Sequence, residues 1–316
     1  MNSLTAEELK TLNQISQQRD VDVKLGDVLT TIIGASIASG TPVNAALATE
    51  TLTISGVVKD GETVTIGSDI YEFVADAAKT VTTVGNIPVD IAANTVKAVG
   101  TLTIDTQPTA GNTMWIGTKI YTFVPVGTAN AEGEVSIGTD LASAKLAIVA
   151  AINGTDGFNN PSDEVTASEF LVNDCTLTAL VGGTVGNSIP TTETFTAVTN
   201  IFAAVTLLTG DDCLAADAVT KLVAAVTAFD TQNVSAADGA DNTVILTAPG
   251  VISNDIAVVT TMANGAFIGV EFTGGVDATV AVGGKILADA TYLYICLAGN
   301  TVVQSNWRRI ALGAAY

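Results

Sequence analysis

Asp211 and Asp212 stand side by side in GDD, and two further stretches crowd oxygen ligands together: NGTDGFNNPSDE over 153–164 and DGADN over 238–242. Carboxylates and amides at this density are what a calcium site or a glycosidase carboxyl pair requires. Calcium takes about six to eight converging oxygens, and none of the stretches has EF-hand spacing. Glycoside cleavage needs carboxyls facing each other roughly 5 to 9 Å apart, whereas adjacent residues point different ways. Solvated turns rich in Asp, Asn and Gly account for all three. The chain has no histidine, which excludes Ser-His-Asp and Cys-His catalysis and the usual zinc and non-haem iron ligand sets. Three cysteines, Cys175, Cys213 and Cys296, cannot make a full disulfide framework. They read as free thiols, and their spacing leaves a Cys175–Cys213 bridge open. Arg308 and Arg309 are the one adjacent basic pair: a docking point for an acidic partner, or charges that keep an edge strand from pairing further. Asn153-Gly-Thr155 and Asn233-Val-Ser235 match glycosylation sequons. No catalytic, cofactor-binding or metal-ligating residue is expected.

The composition points the same way. The net charge is −20, from 12 basic and 32 acidic residues, and an acid excess of this size repels nucleic-acid phosphates. Only 14% of the 316 residues are charged, against roughly 25% in ordinary soluble proteins. The surface must therefore be largely Thr, Ser, Asn, Gly and Ala, which suits an inert shell better than an enzyme. The opening MNSLTAEELK lacks the basic and apolar regions of a secretory leader, and VLTTIIGASIA over 28–38 is too short and polar to span a bilayer.

The elements begin with a helix predicted from Thr5. Thr5 and Glu8 have capping-box spacing, Leu4 and Leu9 have staple spacing, and Leu9, Leu12 and Ile15 form a narrow apolar stripe. Val21, Val23 and Leu25 alternate with Asp22 and Lys24 as a short strand. A second short helix follows Asp27, and residues 34–48 read as a linker. This arm buries little by itself, so it is expected to pack on a partner or on copies of itself.

Two stretches then repeat. TLTISGVVKDGETVTIGSDIYEFV from Thr51 and TLTIDTQPTAGNTMWIGTKIYTFV from Thr101 align without a gap at an offset of 101 − 51 = 50. Each reads as strand, turn, strand, tight turn, strand, with Gly67 and Gly117 at the tight turns where positive φ is needed. Trp115 replaces Thr65 of the first stretch, so it reads as a half-buried packing residue rather than a sugar platform. After the second stretch come a helix from Thr139 to Asn153 and strands at EVTAS, CTLTALVGG, GNSIPTT and VTLLTG. The first has no such sequel before Thr101. Its counterparts come later: the helix ADAVTKLVAAVTAF, aligning Lys221 and Leu222 with Lys145 and Leu146, then NVSAA, VILTAPG, SNDI and VEFTGG. The order is first half of A, all of B, second half of A, with the insertion at an exposed link. YLYICLA and NWRRIALG near the end read as strands of a small sheet.

The fold class is thus α+β, mostly β: two related hairpin–helix–hairpin domains, one inserted in the other, with a helical N-terminal arm and a small C-terminal β unit. The boundaries are 1–48 for the arm, 49–98 and 213–276 for domain A, 99–212 for inserted domain B, and 277–316 for the C-terminal unit.

The repeated stretches, the AINGT string at Ala151–Thr155 and the VTAS string at Val165–Ser168 resemble a module recurrent in structural proteins of tailed bacteriophages. The close, GKILADATYLYICLAGNTVVQSNWRRIALG, is similar to a C-terminal signature of such virion proteins, matching through Arg308, Arg309, Ala311 and Leu312 with VVQS inserted before Asn306. The resemblance is to head-fibre or capsid-decoration proteins. It implies a non-enzymatic virion protein on the outer capsid surface, made in the host cytoplasm. Its expected partners are the major capsid protein, or another virion protein, and two further copies of itself in a homotrimer. The alternative is a tail-associated or fibre-like receptor binder that presents loops to host surface glycans. No cofactor, nucleic acid or membrane is expected. The candidate partner-binding residues are Leu9, Leu12, Ile15, Val21, Val23, Leu25, Arg308 and Arg309.

Overall fold

The computed structural model describes residues 38–39, 45–250, 253–277, 286–288, 292–296 and 307–311. Leu9, Leu12, Ile15, Val21, Val23 and Leu25 lie outside them, as do the arm elements predicted from those residues. The described residues are mostly β, with two α-helices and five four-stranded sheets.

In chain order, β1 (Ala38–Ser39) lies in the stretch read as a linker and is followed by β2 (Thr49–Ile54), β3 (Thr63–Ile66), β4 (Asp69–Val74) and β5 (Ile87–Asp90). Next come β6 (Lys97–Thr103), β7 (Thr113–Ile116), β8 (Lys119–Val124), β9 (Glu134–Ser136) and helix α1 (Leu141–Asn153). After α1 come β10 (Val165–Ala167), β11 (Asp174–Gly182), β12 (Thr191–Glu193) and β13 (Ile201–Phe202). Helix α2 (Ala215–Phe229) precedes β14 (Ser235–Asp238), β15 (Thr243–Thr247), β16 (Val258–Thr260) and β17 (Gly265–Phe267). The chain closes with β18 (Ile286–Ala288), β19 (Tyr292–Cys296) and β20 (Trp307–Ala311).

The pairing repeats. Sheets β10-β11-β6-β13 and β12-β7-β8-β9 are matched, position for position, by β14-β15-β2-β17 and β16-β3-β4-β5. Val64 faces Tyr71 as Met114 faces Tyr121, which preserves the offset of 50. Val244 faces Leu52 as Cys175 faces Leu102, an offset of 244 − 175 = 69 that also relates β14 to β10. Strands β2 and β3 therefore join the β2–β5 segment to β15, β16 and β17 across the sequence, while β6 to β13 pair among themselves.

Alternation explains the strands. In β3 and β7 every second side chain, Val64 and Ile66 or Met114 and Ile116, is buried, while Thr63 and Thr65 or Thr113 and Trp115 lie on the other face, half-buried. Gly67 and Gly117 adopt φ of +59° and +62°, as the tight turns require. At Gly117 a Cβ would also run into the Glu164 carboxylate. One core joins both sheets of the second set to α1, through Leu102, Ile116, Tyr121, Phe123, Ile148, Ile152 and Leu177. Burying aliphatic and aromatic side chains of this size stabilises by about 1.5–3 kcal/mol each.

The helices require one correction. The sequence alignment pairs Leu222 with Leu146, an offset of 76, but Leu222 is fully buried and Leu146 is 70% exposed. Buried Ala144, Ile148, Ala151 and Ile152 of α1 correspond to Ala218, Leu222, Ala225 and Val226 of α2 at an offset of 218 − 144 = 74. The shared Lys-Leu dipeptide is a coincidence of composition; the buried face sets the register. Helix α1 starts at a reciprocal capping box, with Asp140 accepting from the Ser143 N–H at 2.8 Å, and stops at left-handed Gly154.

Several short strands went unpredicted. β5 and β9 run parallel to β4 and β8, so each repeated stretch continues past its third strand. The stretches VTLLTG and VEFTGG contribute only isolated bridges, and the ladder partners of β6 and β2 are instead β13 and β17.

The ends of the 97–210 stretch lie together. Val96 and Asp211 exchange backbone hydrogen bonds at 2.9 and 3.0 Å, and Val99 and Leu208 do the same at 2.8 and 2.9 Å. The Gly182 N–H donates to the Ala75 carbonyl at 3.1 Å, stitching one set of sheets to the other. Thr49–Pro249 and Ser253–Thr273 form one compact unit, and β1 with β18, β19 and β20 belongs to a second. In that second unit β1 pairs in parallel with β18, giving the order β1-β18-β19-β20.

Candidate functional site

Arg308 and Arg309 lie on β20, opposite Ile295 and Tyr294, and both are exposed. The Arg309 guanidinium sits 4.6 Å from the centroid of the Tyr292 ring, a cation–π geometry that orients it along the strand pair.

The buried carboxylates brace loops. Glu72 accepts from the Thr82 N–H and the Asn86 amide, both at 2.6 Å, and so ties down the connection between β4 and β5. Burial opposes its ionisation, but those donors outweigh burial and hold the carboxyl below its usual range. Glu50 accepts from the N–H groups of Thr51, Ile268 and Gly269. Asp212 accepts from the Thr184 N–H at 2.7 Å and from its hydroxyl, while exposed Asp211 caps the Asp212 N–H. The adjacent acids therefore serve two separate loops and do not face each other. Asp156 accepts from the Asn159 N–H at 2.9 Å and the Asn159 side chain at 2.7 Å, an Asx-type turn inside the oxygen-rich stretch. The Asn153 amide both donates to and accepts from the Ala167 backbone, which ties the end of α1 to β10. Among the described residues no group of three or more acidic or sulfur ligands has metal-binding geometry.

Cys175 and Cys213 are both buried free thiols. Burial pushes each up to about 11, so both are protonated near neutral pH and inert as nucleophiles. Trp115 is half-buried on β7 between Ile120 and Thr192. No described helix is long and apolar enough to cross a membrane.

Two equivalent tyrosines stand out. The buried hydroxyls of Tyr71 and Tyr121 and Asp230 Oδ1 make no well-aligned hydrogen bond among the described residues, although Asp230 lies near Tyr71 and Ser162 near Tyr121. Burial, then the charges of Asp230 and Asp69, push the Tyr71 phenol upward. Burial likewise raises the Asp230 carboxyl, against the pull of the Val234 N–H.

One feature was absent from the sequence reading. The β10–β11 hairpin ends in Phe170-Leu171-Val172, where the equal-length β14–β15 hairpin has Gly239-Ala240-Asp241 at the offset of 69. Leu171 and Val172 are each 81% exposed. Val172 sits at φ +57°, a left-handed conformation that Asp241 also adopts but that a β-branched side chain resists. Together α1 and this hairpin wall a cleft of about 570 Å³ lined by Lys145, Leu146, Val149, Glu169, Phe170 and Val172. Aligning the two hairpins residue by residue would have revealed the apolar tip.

No family model matches this chain, and no curated protein or solved structure matches it either.

Proposed function

We propose that the chain is a non-enzymatic structural protein of a tailed-bacteriophage virion, a capsid-decoration or head-fibre protein. Its architecture on this reading is two related hairpin–helix–hairpin domains, the 99–212 copy inserted into the copy formed by 49–98 and 213–276. The N-terminal arm and the C-terminal unit flank them, and the arm grips the capsid or a trimer axis.

The observation that carries the reading is the module itself. TVTIGSDIYEFV and TMWIGTKIYTFV recur in one chain, ahead of the C-terminal string that ends in Arg308-Arg309, and both resemble virion structural proteins. The chemistry of the described residues is compatible with a binding role. Buried acids hold loops, buried thiols are protonated, and there is no histidine to act near neutral pH. The outward positions of β2 and β15, Thr51, Thr53, Thr243, Ile245 and Thr247, carry no charge. Surfaces of this kind adhere through many small van der Waals and hydrogen-bonded contacts. Symmetry multiplies such contacts into avidity without demanding a tight single site.

A mass-spectrometric inventory of heads and tails, purified separately from the virus that encodes the chain, tests this. The protein is expected in the heads. Recovery in tails alone would sink the decoration role and favour the receptor-binding alternative.

A further inference from the structure

We infer that the contact between the 99–212 stretch and the stretches that flank it is a hinge that acid tightens, with Asp60 as the group that sets it. The two parts are joined where Val96 and Asp211 exchange backbone hydrogen bonds. They touch again where Asp76 bridges Val181 and the Ala75 carbonyl accepts from the Gly182 N–H at 3.1 Å. At this junction lies a cavity of about 210 Å³. Asp60 lines it from the flanking part, and Asp163, Glu164, Val181, Val185 and Ile189 line it from the 99–212 stretch.

Carboxylates therefore approach from both sides. Half-buried Asp60 accepts from the Ala75 N–H at 2.7 Å, so Ala75 holds Asp60 through its N–H and Gly182 through its carbonyl. Glu72 of β4 and Asp76 just beyond it bring like charge to Asp60. Glu164 is half-buried and accepts from the Thr118 N–H, while Asp163 is exposed. Glu62, in the same turn as Asp60, accepts from the Lys59 N–H. Lys59 is exposed, and Lys97 stands on β6 opposite Gly182. Among the described residues the ion pairs join Lys79 to Asp90 and Lys119 to Glu132, and neither includes Asp60.

The repeat shows that the hairpin does not require this arrangement. At the offset of 50, Ala110 stands in the place of Asp60 and Pro125 in the place of Ala75. Proline has no N–H, so carboxylate and donor are both missing there. Burial raises the Asp60 carboxyl above its usual range against the pull of the Ala75 N–H, and Asp76 and Glu72 act in the same direction as burial. Swinging the 99–212 stretch away hydrates Asp60 and removes Asp163 and Glu164 from its cavity. The closed contact thus binds the proton more tightly than the open one. The penalty on closure is absent below the ordinary aspartate value of about 3.9 and grows as pH rises through the raised value. The hinge does not depend on where the protein acts, so it stands or falls separately from the virion reading.

Hydrogen exchange on the full chain, resolved at the Gly182 N–H and corrected for the intrinsic rate at each pH, tests it. The Gly111 N–H, bonded to the Phe123 carbonyl at 2.8 Å within the 99–212 stretch, is the internal reference. Protection at Gly182 relative to Gly111 is expected to fall severalfold from about pH 4 to about pH 7 in the parent chain. In Asp60→Asn it is expected to keep its acid value throughout. Asp163→Asn, at an exposed position, is expected to fold like the parent and to make the fall shallower, which keeps the hinge testable if Asp60→Asn does not fold. A relative protection that does not change with pH in the parent, or a fall as steep in a folded variant as in the parent, would overturn the inference.

Discussion

At the scale of single residues, the carboxylates divide by whether their lone pairs are satisfied. Glu72 is satisfied by Thr82 and Asn86, and its folded carboxyl is held low. Its contribution is therefore present above the unfolded glutamate value of about 4.3 and is lost as pH falls through the folded value. Glu72→Gln is expected to cost about 1–3 kcal/mol near neutral pH in urea unfolding, with the gap closing in acid. Asp230 is the opposite case. Burial raises its carboxyl, so the folded state binds a proton more tightly than the unfolded state does. The penalty is absent below the unfolded aspartate value of about 3.9 and grows as pH rises toward the folded value. Asp230→Asn keeps an acceptor for the Val234 N–H and removes the negative charge that faces Tyr71 and Asp69. It is expected to stabilise by about 1 kcal/mol near neutral pH and to gain nothing near pH 3. A loss of stability at neutral pH would show that the ionised Asp230 is better placed than its burial implies.

At the scale of elements, the parts legible in the sequence were those with long alternation. The β3–β4 and β7–β8 hairpins and the β10–β11 and β14–β15 pairs appear at the predicted offsets of 50 and 69. β5, β9, β13 and β17 escaped because two to four residues cannot display a period, and their partners lie across polar loops or far along the chain. The helices were recognised but misaligned by two residues, because an identical Lys-Leu pair outweighed the less conspicuous alanines of the buried face. Substitution tests that register. Leu222→Ala is expected to cost about 2–5 kcal/mol, and Leu146→Ala to change stability by no more than about 0.5 kcal/mol. Equal costs at both positions would restore the alignment at 76. The apolar hairpin tip was missed for a related reason: Phe170-Leu171-Val172 reads as strand by composition and becomes conspicuous only when set against Gly239-Ala240-Asp241.

At the scale of the whole molecule, the repetition noticed in the sequence returns as a repetition of sheet order. Strands β2 and β3 find partners beyond the 97–210 stretch, whose flanking residues Val96 and Asp211 are hydrogen-bonded side by side. Adjacent ends are the condition under which a domain can enter another without disturbing it. Deleting 101–210 and joining Gly100 to Asp211 leaves 97–100 as the connecting turn. The remainder is expected to unfold cooperatively with a β-type circular dichroism spectrum, and a disordered spectrum would contradict the nested architecture. The central claim, a capsid-binding protein without catalysis, is tested most directly by adding the purified chain to heads from a virus that lacks it. Saturable co-sedimentation with the heads, at a stoichiometry set by capsid symmetry and with improved resistance of the particle to heat, is the predicted result. Heads that pellet without the protein at all concentrations would contradict it.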